Sequence, residues 1–307
     1  MGIATGGVVP SGADAVVPIE YVVESDNAVE IPDAVGEGVN VRPRGGDIAA
    51  GDVVVPAGAR LGAAQLGALA AAGLAEVACT RRPRVVVLTT GTELRRPGEA
   101  LGPGEVYEAN GLLLSAALAA AGAAVDELAS VEDDEEAHRQ AIAWGLEADA
   151  LVTSGGVSVG PHDLVRRIEA ELGVEEIFWR VAVKPGKPVS FGVRGRTLVF
   201  GLPGNPVSAL VGCQLFVGPA VLALQGASDP GPAFELGRLA GPVRRNPERD
   251  ELLRARLRTA DGAVELEPIR GQESHMIARA ATANALVLVE RGEGEVTAGE
   301  SARYLRL

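Results

Sequence analysis

The chain has 307 residues, with 28 basic against 41 acidic side chains and a net charge of −13. That length points to two or three domains, and 47% hydrophobic with 22% charged residues excludes a disordered or fibrous chain. The acidic balance and 3% aromatic content argue against nucleic acid and anionic membranes as partners, so any anionic ligand needs a local exception to the global charge.

In chain order, the N-terminal MGIATGGVVPSG has no basic region, apolar run or cleavage site, so no export signal is read and a cytoplasmic location is expected. Residues 1 to about 80 are rich in Gly, Pro, Val and Ala, with strands expected at Asp14–Ile19 and Asp52–Val55. A helix is expected over Leu61–Ala75, closing near Gly73. Arg81-Arg82-Pro83 then marks a boundary. Beyond it strands and helices alternate: strand Arg84–Thr90, helix Asn110–Ala121, strand Val125–Val131, helix Asp134–Glu147, strand Ala148–Thr153 and helix Asp163–Leu172. A hairpin follows, Pro188–Val193 with Thr197–Leu202, and then an apolar helix from Pro206. The last stretch, Pro206 to Gly226, approaches membrane-spanning length, but Gln214, Pro219 and the preceding Gly-rich loop favour a buried core helix. The alternation predicts an α/β domain with a mainly parallel sheet over residues 81–226. From 227 to 307, strands around the Asp261-Gly262 turn, at Ala285–Glu290 and at Ser301–Leu307, predict a small all-β domain. Only Cys79 and Cys213 occur, so neither a disulfide framework nor a thiolate zinc site is indicated.

Three expected strands end in glycine-bearing turns. These are TTGTEL at Thr89, TSGGVSVGPHD at Thr153 with Gly155, Gly156, Ser158 and Gly160, and FGLPGNPVS at Phe200 with Pro203, Gly204, Asn205 and Pro206. Ligands of open α/β sheets bind at the carboxyl ends of the strands, and glycine lets backbone amides approach a phosphate. Pro206 opening a helix, with Asn205 as its cap, would add free N–H groups. Each turn alone could simply reverse the chain; their coincidence outlines a site.

Only two of the 28 basic residues are lysine, and both lie in Lys184-Pro-Gly-Lys187. Arg carries the rest of the positive charge, so a segment that spends both ammonium groups suits a compact oxyanion or phosphate better than a solvated surface turn. Glu93, Asp133 and Asp163 fall at or just after strand ends and could serve Mg²⁺ on a phosphate. Asp163 reads equally as a helix N-cap, and Asp133-Asp134 as a solvated acidic helix start.

TSGGVSVGPHD, VAVKPGKPVSFG and GLPGNPVSALV, in this order and spacing, together with ATGGVVPSGADAVVPIE, NVRPRGGDIAAGD and GQESHMIARAATANALVLVERGEGEV, resemble the molybdopterin molybdenumtransferase family along essentially the whole chain. The resemblance implies an α/β molybdopterin-binding domain at 81–226, a partial β-rich domain at 1–45, a linking segment at 46–80 and a C-terminal β domain at 227–307. It implies a transferase that takes molybdate and adenylylated molybdopterin as substrates and releases AMP with Mg²⁺ assistance. By matching position, Lys184 and Lys187 would meet molybdate or phosphate with Ser208 beside them. Asp163 joins them as catalytic, and Glu93, Asp133, Asp163 and Asp47 would serve the metal and phosphates. Thr5 and Ser274 match further binding positions, and Arg249 and Arg254 would be oxyanion contacts. A homodimer is implied, with molybdopterin adenylyltransferase as a partner. Thr92 stands where the family usually has an acid, and a DGYA-like upstream segment is missing, so the chain is expected to begin within the family's second domain. The alternatives are a molybdopterin adenylyltransferase, which shares the α/β motifs, and a scaffold that binds molybdopterin without catalysis.

Overall fold

The computed structural model describes residues 1–307 except Pro32, Glu132, Asp133, 157–163 and Asp261. The chain forms two compact units, Met1–Val77 and Ala78–Leu307.

The first unit holds an antiparallel pair, β1 (Val23–Ser25) with β2 (Ala28–Glu30), and a helix, α1 (Ala63–Ala71). Gly73 ends α1 at φ +83°: its N–H bonds Ala70 O, and Leu74 N–H bonds Leu69 O, the paired closure that a left-handed glycine permits. The expected strands at Asp14–Ile19 and Asp52–Val55 do not form. Around the first, Val16 N–H bonds Val39 O and Gly38 N–H bonds Asp14 O, but no ladder extends from them. At the second, the Asp52 carboxylate takes the Ala49 N–H at 2.8 Å while Asp52 N–H bonds Ala49 O, a local closure that competes with strand pairing. No described residue of this unit is buried.

The second unit opens with β3 (Arg84–Thr90), the short parallel pair β4 (Leu94–Arg95) and β5 (Val106–Tyr107), α2 (Asn110–Ala120), β6 (Ala124–Val131), α3 (Glu135–Gly145), β7 (Ala150–Ser154) and α4 (Leu164–Glu171). It continues through β8 (Glu175–Trp179), the two-residue β9 (Val183–Lys184), β10 (Ser190–Arg194) and β11 (Thr197–Leu202). One sheet runs β6-β3-β7-β11-β10-β8. Its first four strands are parallel; β10 pairs antiparallel to β11, and β8 pairs antiparallel to β10. Val85, Val86, Val87 and Leu88 are all 0% exposed because both faces of β3 are covered. Val85 and Val87 pack with Leu114 and Leu118 of α2, while Val86 and Leu88 pack with Ile142 of α3 and Ile168 of α4. Each side chain fully buried in this way stabilises the fold by about 1.5–3 kcal/mol.

A continuous apolar helix follows: α5 (Pro206–Gly212), a π-helical turn at Cys213–Val217, and α6 (Gly218–Leu224). Pro219 cannot donate to a carbonyl one turn back, and the turn before it widens, with Gly218 N–H reaching Cys213 O. By length and composition this helix could cross a membrane, but Ala209, Cys213, Val217 and Val221 are packed into the core on the α2 face of the sheet.

The remaining elements are β12 (Glu235–Leu239), β13 (Val243–Arg244), β14 (Asp250–Ala260), β15 (Ala263–Pro268), the one-turn α7 (Ile277–Ala280), β16 (Ala285–Val289), β17 (Glu295–Val296) and β18 (Ser301–Arg306). Five of these strands pair in the ring β15-β12-β18-β16-β14, which the β14–β15 pairing closes into a barrel around Leu239, Ala255, Leu266, Val287 and Tyr304. The outer strand β9 attaches to β14 in parallel. The architecture is thus mixed α/β, with a central α/β sheet domain and a C-terminal β barrel.

Candidate active site

The glycine turns meet at the carboxyl ends of β3, β7 and β11. Gly155 N–H bonds Leu202 O at 3.1 Å, tying the end of β7 to the end of β11. At φ +98° Gly155 lies so close to β3 that a Cβ would sit 2.4 Å from Thr90 O, so no other residue fits. A Cβ on Gly204 would stand 3.8 Å from Gly155 Cα, which puts the second and third turns in contact. Asn110, the first residue of α2, clamps both turns. Its Nδ2 donates to Ser154 Oγ at 2.9 Å and to Gly204 O at 2.7 Å, and the residue is 8% exposed.

The lysine loop lies beside these turns. Gly186 has φ +112°, and its Cβ position is 3.5 Å from Ser208 O, so the loop rests on the first turn of α5. It is held by Val181 N–H to Lys187 O and Arg180 N–H to Val189 O. Lys187 is exposed and makes no ion pair among the described residues. Lys184 donates from Nζ to Glu251 Oε1 at 2.7 Å, and its side chain is half exposed. From the barrel side, Val207 N–H bonds Ser274 O at 3.0 Å. Gly155, Gly204, Ser274 and the lysine loop therefore gather around the first turn of α5, in which Ser208 is itself buried at 4% exposure.

Asn205 occupies the cap position of α5, but its side chain makes no capping hydrogen bond and its carbonyl takes Ala209 N–H. The Val207 N–H, expected to face an anion, is spent on Ser274, because the 271–276 loop packs on the helix start. Arg254, expected at an oxyanion, is 0% exposed. Its guanidinium donates to Met276 O, Gly271 O, Glu273 O and Gln272 Oε1, so it braces the backbone that carries Ser274, and burial pulls its pKa down. Arg249 is half-buried, with its N–H on Asn246 Oδ1. In the first unit, Thr5 sits in a turn closed by Gly7 N–H to Ala4 O, and Asp47 is exposed. Gly156, at φ +66°, packs toward Val165.

Asp133, Ser158, Gly160 and Asp163 lie outside the described residues. Glu93 is exposed, its carboxylate lying over Gly91. Among the described residues no three acidic, His or Cys side chains gather to hold a metal ion, so their geometry gives no Mg²⁺ site. Sequence reasoning missed Asn110 and Glu251. For Asn110 the available signal was a polar residue opening the largely apolar NGLLLSAALAA; Glu251 gave none.

Conjoined glycine turns, a lysine loop and a barrel loop thus meet at one helix start at the carboxyl edge of a parallel sheet, the place where open α/β folds bind ligands. Three family models match the chain: the MoeA N-terminal region (domain I and II) at residues 1–73, a probable molybdopterin binding domain at 86–223, and the MoeA C-terminal region (domain IV) at 237–307. A molybdopterin molybdenumtransferase of Haemophilus influenzae is 34% identical over 97% of this chain and 75% of its own length. Molybdopterin molybdenumtransferase 2 of Mycobacterium tuberculosis is 36% identical over 97% and 74%. The crystal structure of the molybdopterin biosynthesis MoeA protein from Pyrococcus horikosii matches with a TM-score of 0.76 at 30% identity, covering 97% of this chain and 73% of that one. The chain belongs to the molybdopterin molybdenumtransferase family, enzymes of molybdenum cofactor biosynthesis.

Proposed function

We propose that this chain transfers molybdate to adenylylated molybdopterin and releases AMP. The observation that carries this reading is the seating of the chain's only two lysines, through Gly186, on the first turn of α5 beside the conjoined Gly155 and Gly204 turns. Glycine turns admit a phosphate-bearing ligand to the backbone, and the exposed Lys187 with the half-exposed Lys184 offers compact positive charge to an oxyanion in an otherwise acidic protein. Ser274 lies beside the same turn, and Ser208 is buried within it. Mg²⁺ assistance, through Glu93, Asp47, Asp133 and Asp163, belongs to the reading by family resemblance alone; the test for it is a Mg²⁺ titration of AMP release with Asp163→Asn.

The reading includes a cytoplasmic homodimer that receives its nucleotide substrate from a molybdopterin adenylyltransferase. Support for self-association comes from the first unit, where Ile19, Tyr21 and Val53 are 69%, 70% and 77% exposed. Sedimentation tests it.

The experiment is molybdate-dependent AMP release by the wild type, Lys184→Ala and Lys187→Ala. Losing one charge-assisted contact costs about 1.5–3 kcal/mol, a fall of roughly 10- to 150-fold. Molybdate dependence unchanged in both variants rejects the oxyanion role. ATP-dependent adenylylation of molybdopterin in place of AMP release would make the chain an adenylyltransferase, and ligand binding with neither activity would make it a scaffold.

A further inference from the structure

The two-residue strand β9 leaves the α/β domain to pair with the barrel. Val183 stands opposite Asp250 and Lys184 opposite Glu251 in a parallel register, and Asp250 N–H bonds Ala182 O at 3.0 Å. Glu251 is 8% exposed, and a carboxylate so buried needs partners. It has two on one oxygen: Lys184 Nζ at 2.7 Å and Asn246 Nδ2 at 3.2 Å. Asn246 is itself fixed, its Oδ1 receiving the N–H groups of Glu248 and Arg249. A rigid chain of contacts thus runs from the 246–249 turn to the Lys184 ammonium. Lys187, three residues on, has no such anchor among the described residues.

We propose that Glu251 is the positioning residue for Lys184: it holds the ammonium at the mouth of the site so that the remaining donors meet the incoming oxyanion. This rests on the molybdate-transfer reading above. A lysine has a long flexible stem and three donors, of which one goes to Glu251. With the stem fixed beforehand, the oxyanion does not bear the entropy of ordering it. Two effects oppose each other, because the same carboxylate repels a dianion. The buried, doubly bonded geometry of Glu251 and the half-exposed Lys184 favour pre-organisation over repulsion.

The chain's two lysines make the test direct. Lysine labelled with ¹³C at Cε and ¹⁵N at Nζ gives two side-chain signals, assigned with Lys184→Met and Lys187→Met. Glu251→Gln is expected to shift the Lys184 signal, to leave Lys187 in place, and to weaken the molybdate response of Lys184 roughly tenfold, the size that a coupled neighbouring pair carries. In the Lys184→Met background, Glu251→Gln is expected to change the molybdate response of Lys187 no further. A molybdate response equal to or tighter than wild type in Glu251→Gln overturns the proposal, as does a loss that persists without Lys184. An ion pair that merely joins the two domains would lower the melting temperature and leave the Lys184 titration unchanged. Absence of AMP release by the wild type would reject the functional reading by itself, while the lysine titration still decides the role of Glu251.

Discussion

The side-chain amide of Asn110 and the carbonyl of Gly204 are 2.7 Å apart, and the same Nδ2 reaches Ser154 Oγ at 2.9 Å. One buried amide therefore sets the spacing of the two glycine turns. Asn110→Ala leaves Gly204 O without this donor and is expected to destabilise the fold by about 1–3 kcal/mol. Asn110→Asp should be worse, since an ionised carboxylate presents only acceptors to an acceptor. Denaturant midpoints measure both, and equal stability of all three proteins would remove Asn110 from this role.

Gly155→Ala is expected to cost at least about 2 kcal/mol, because the backbone conformation at φ +98° is strained for any other residue. The new Cβ also collides with Thr90 O, which must move. Loss of pterin-nucleotide binding should accompany the loss of stability; tight binding by a fully stable variant would contradict the packing described.

Arg254→Met removes the guanidinium donors that hold Gly271 O, Glu273 O and Met276 O in the 271–276 loop. Carbonyls left without partners at a fully buried position should cost at least about 3 kcal/mol, and Arg254→Lys should fall between, because an ammonium cannot reproduce the planar fork. Chemical denaturation checks this. A stable Met variant with impaired molybdate dependence would restore the oxyanion role.

Glu235 predicts an acid limb. Hydrogen bonds from Arg306, and then from the Tyr304 hydroxyl, hold its carboxyl at about 2 against an ordinary 4.5. The folded-state value is lowered, so the unfolded chain takes up the proton first. The stabilisation is complete above about 4.5 and is lost as pH falls toward about 2. Melting temperature across that window should fall more steeply for the wild type than for Glu235→Gln; parallel curves would mean that the contact with Arg306 and Tyr304 is not held in solution.

The central sheet was legible because its strands are long or continuously apolar: Val85 to Leu88 reads as a doubly covered strand, and Gly122 and Gly173 mark helix ends. Glu175–Trp179 was not expected, since an edge strand beginning Glu-Glu carries no alternation and is mostly exposed. β9 is invisible to any local signal, because two residues are ordered only by a partner at Asp250 and Glu251. Among candidate site residues, scarcity points to Lys184 and Lys187, but nothing in a string of letters distinguishes a solvent-facing Arg from Arg254, whose burial is decided by the folding of the 271–276 loop over it.

The pairing of β9 with β14 also bears on the order of events during synthesis. Strands β3 to β11 leave the ribosome together and can begin packing as a sheet, since domains generally form as units from the N-terminal side. Lys184 lies within that early stretch, yet its partner Glu251 is on a strand made later. The barrel holding Glu251 closes only when β18, last of its strands to emerge, enters between β12 and β16. A nascent chain could therefore carry assembled glycine turns while one of its two lysines still lacks its final setting. The pairing delays the contact between Lys184 and Glu251 until the barrel is complete.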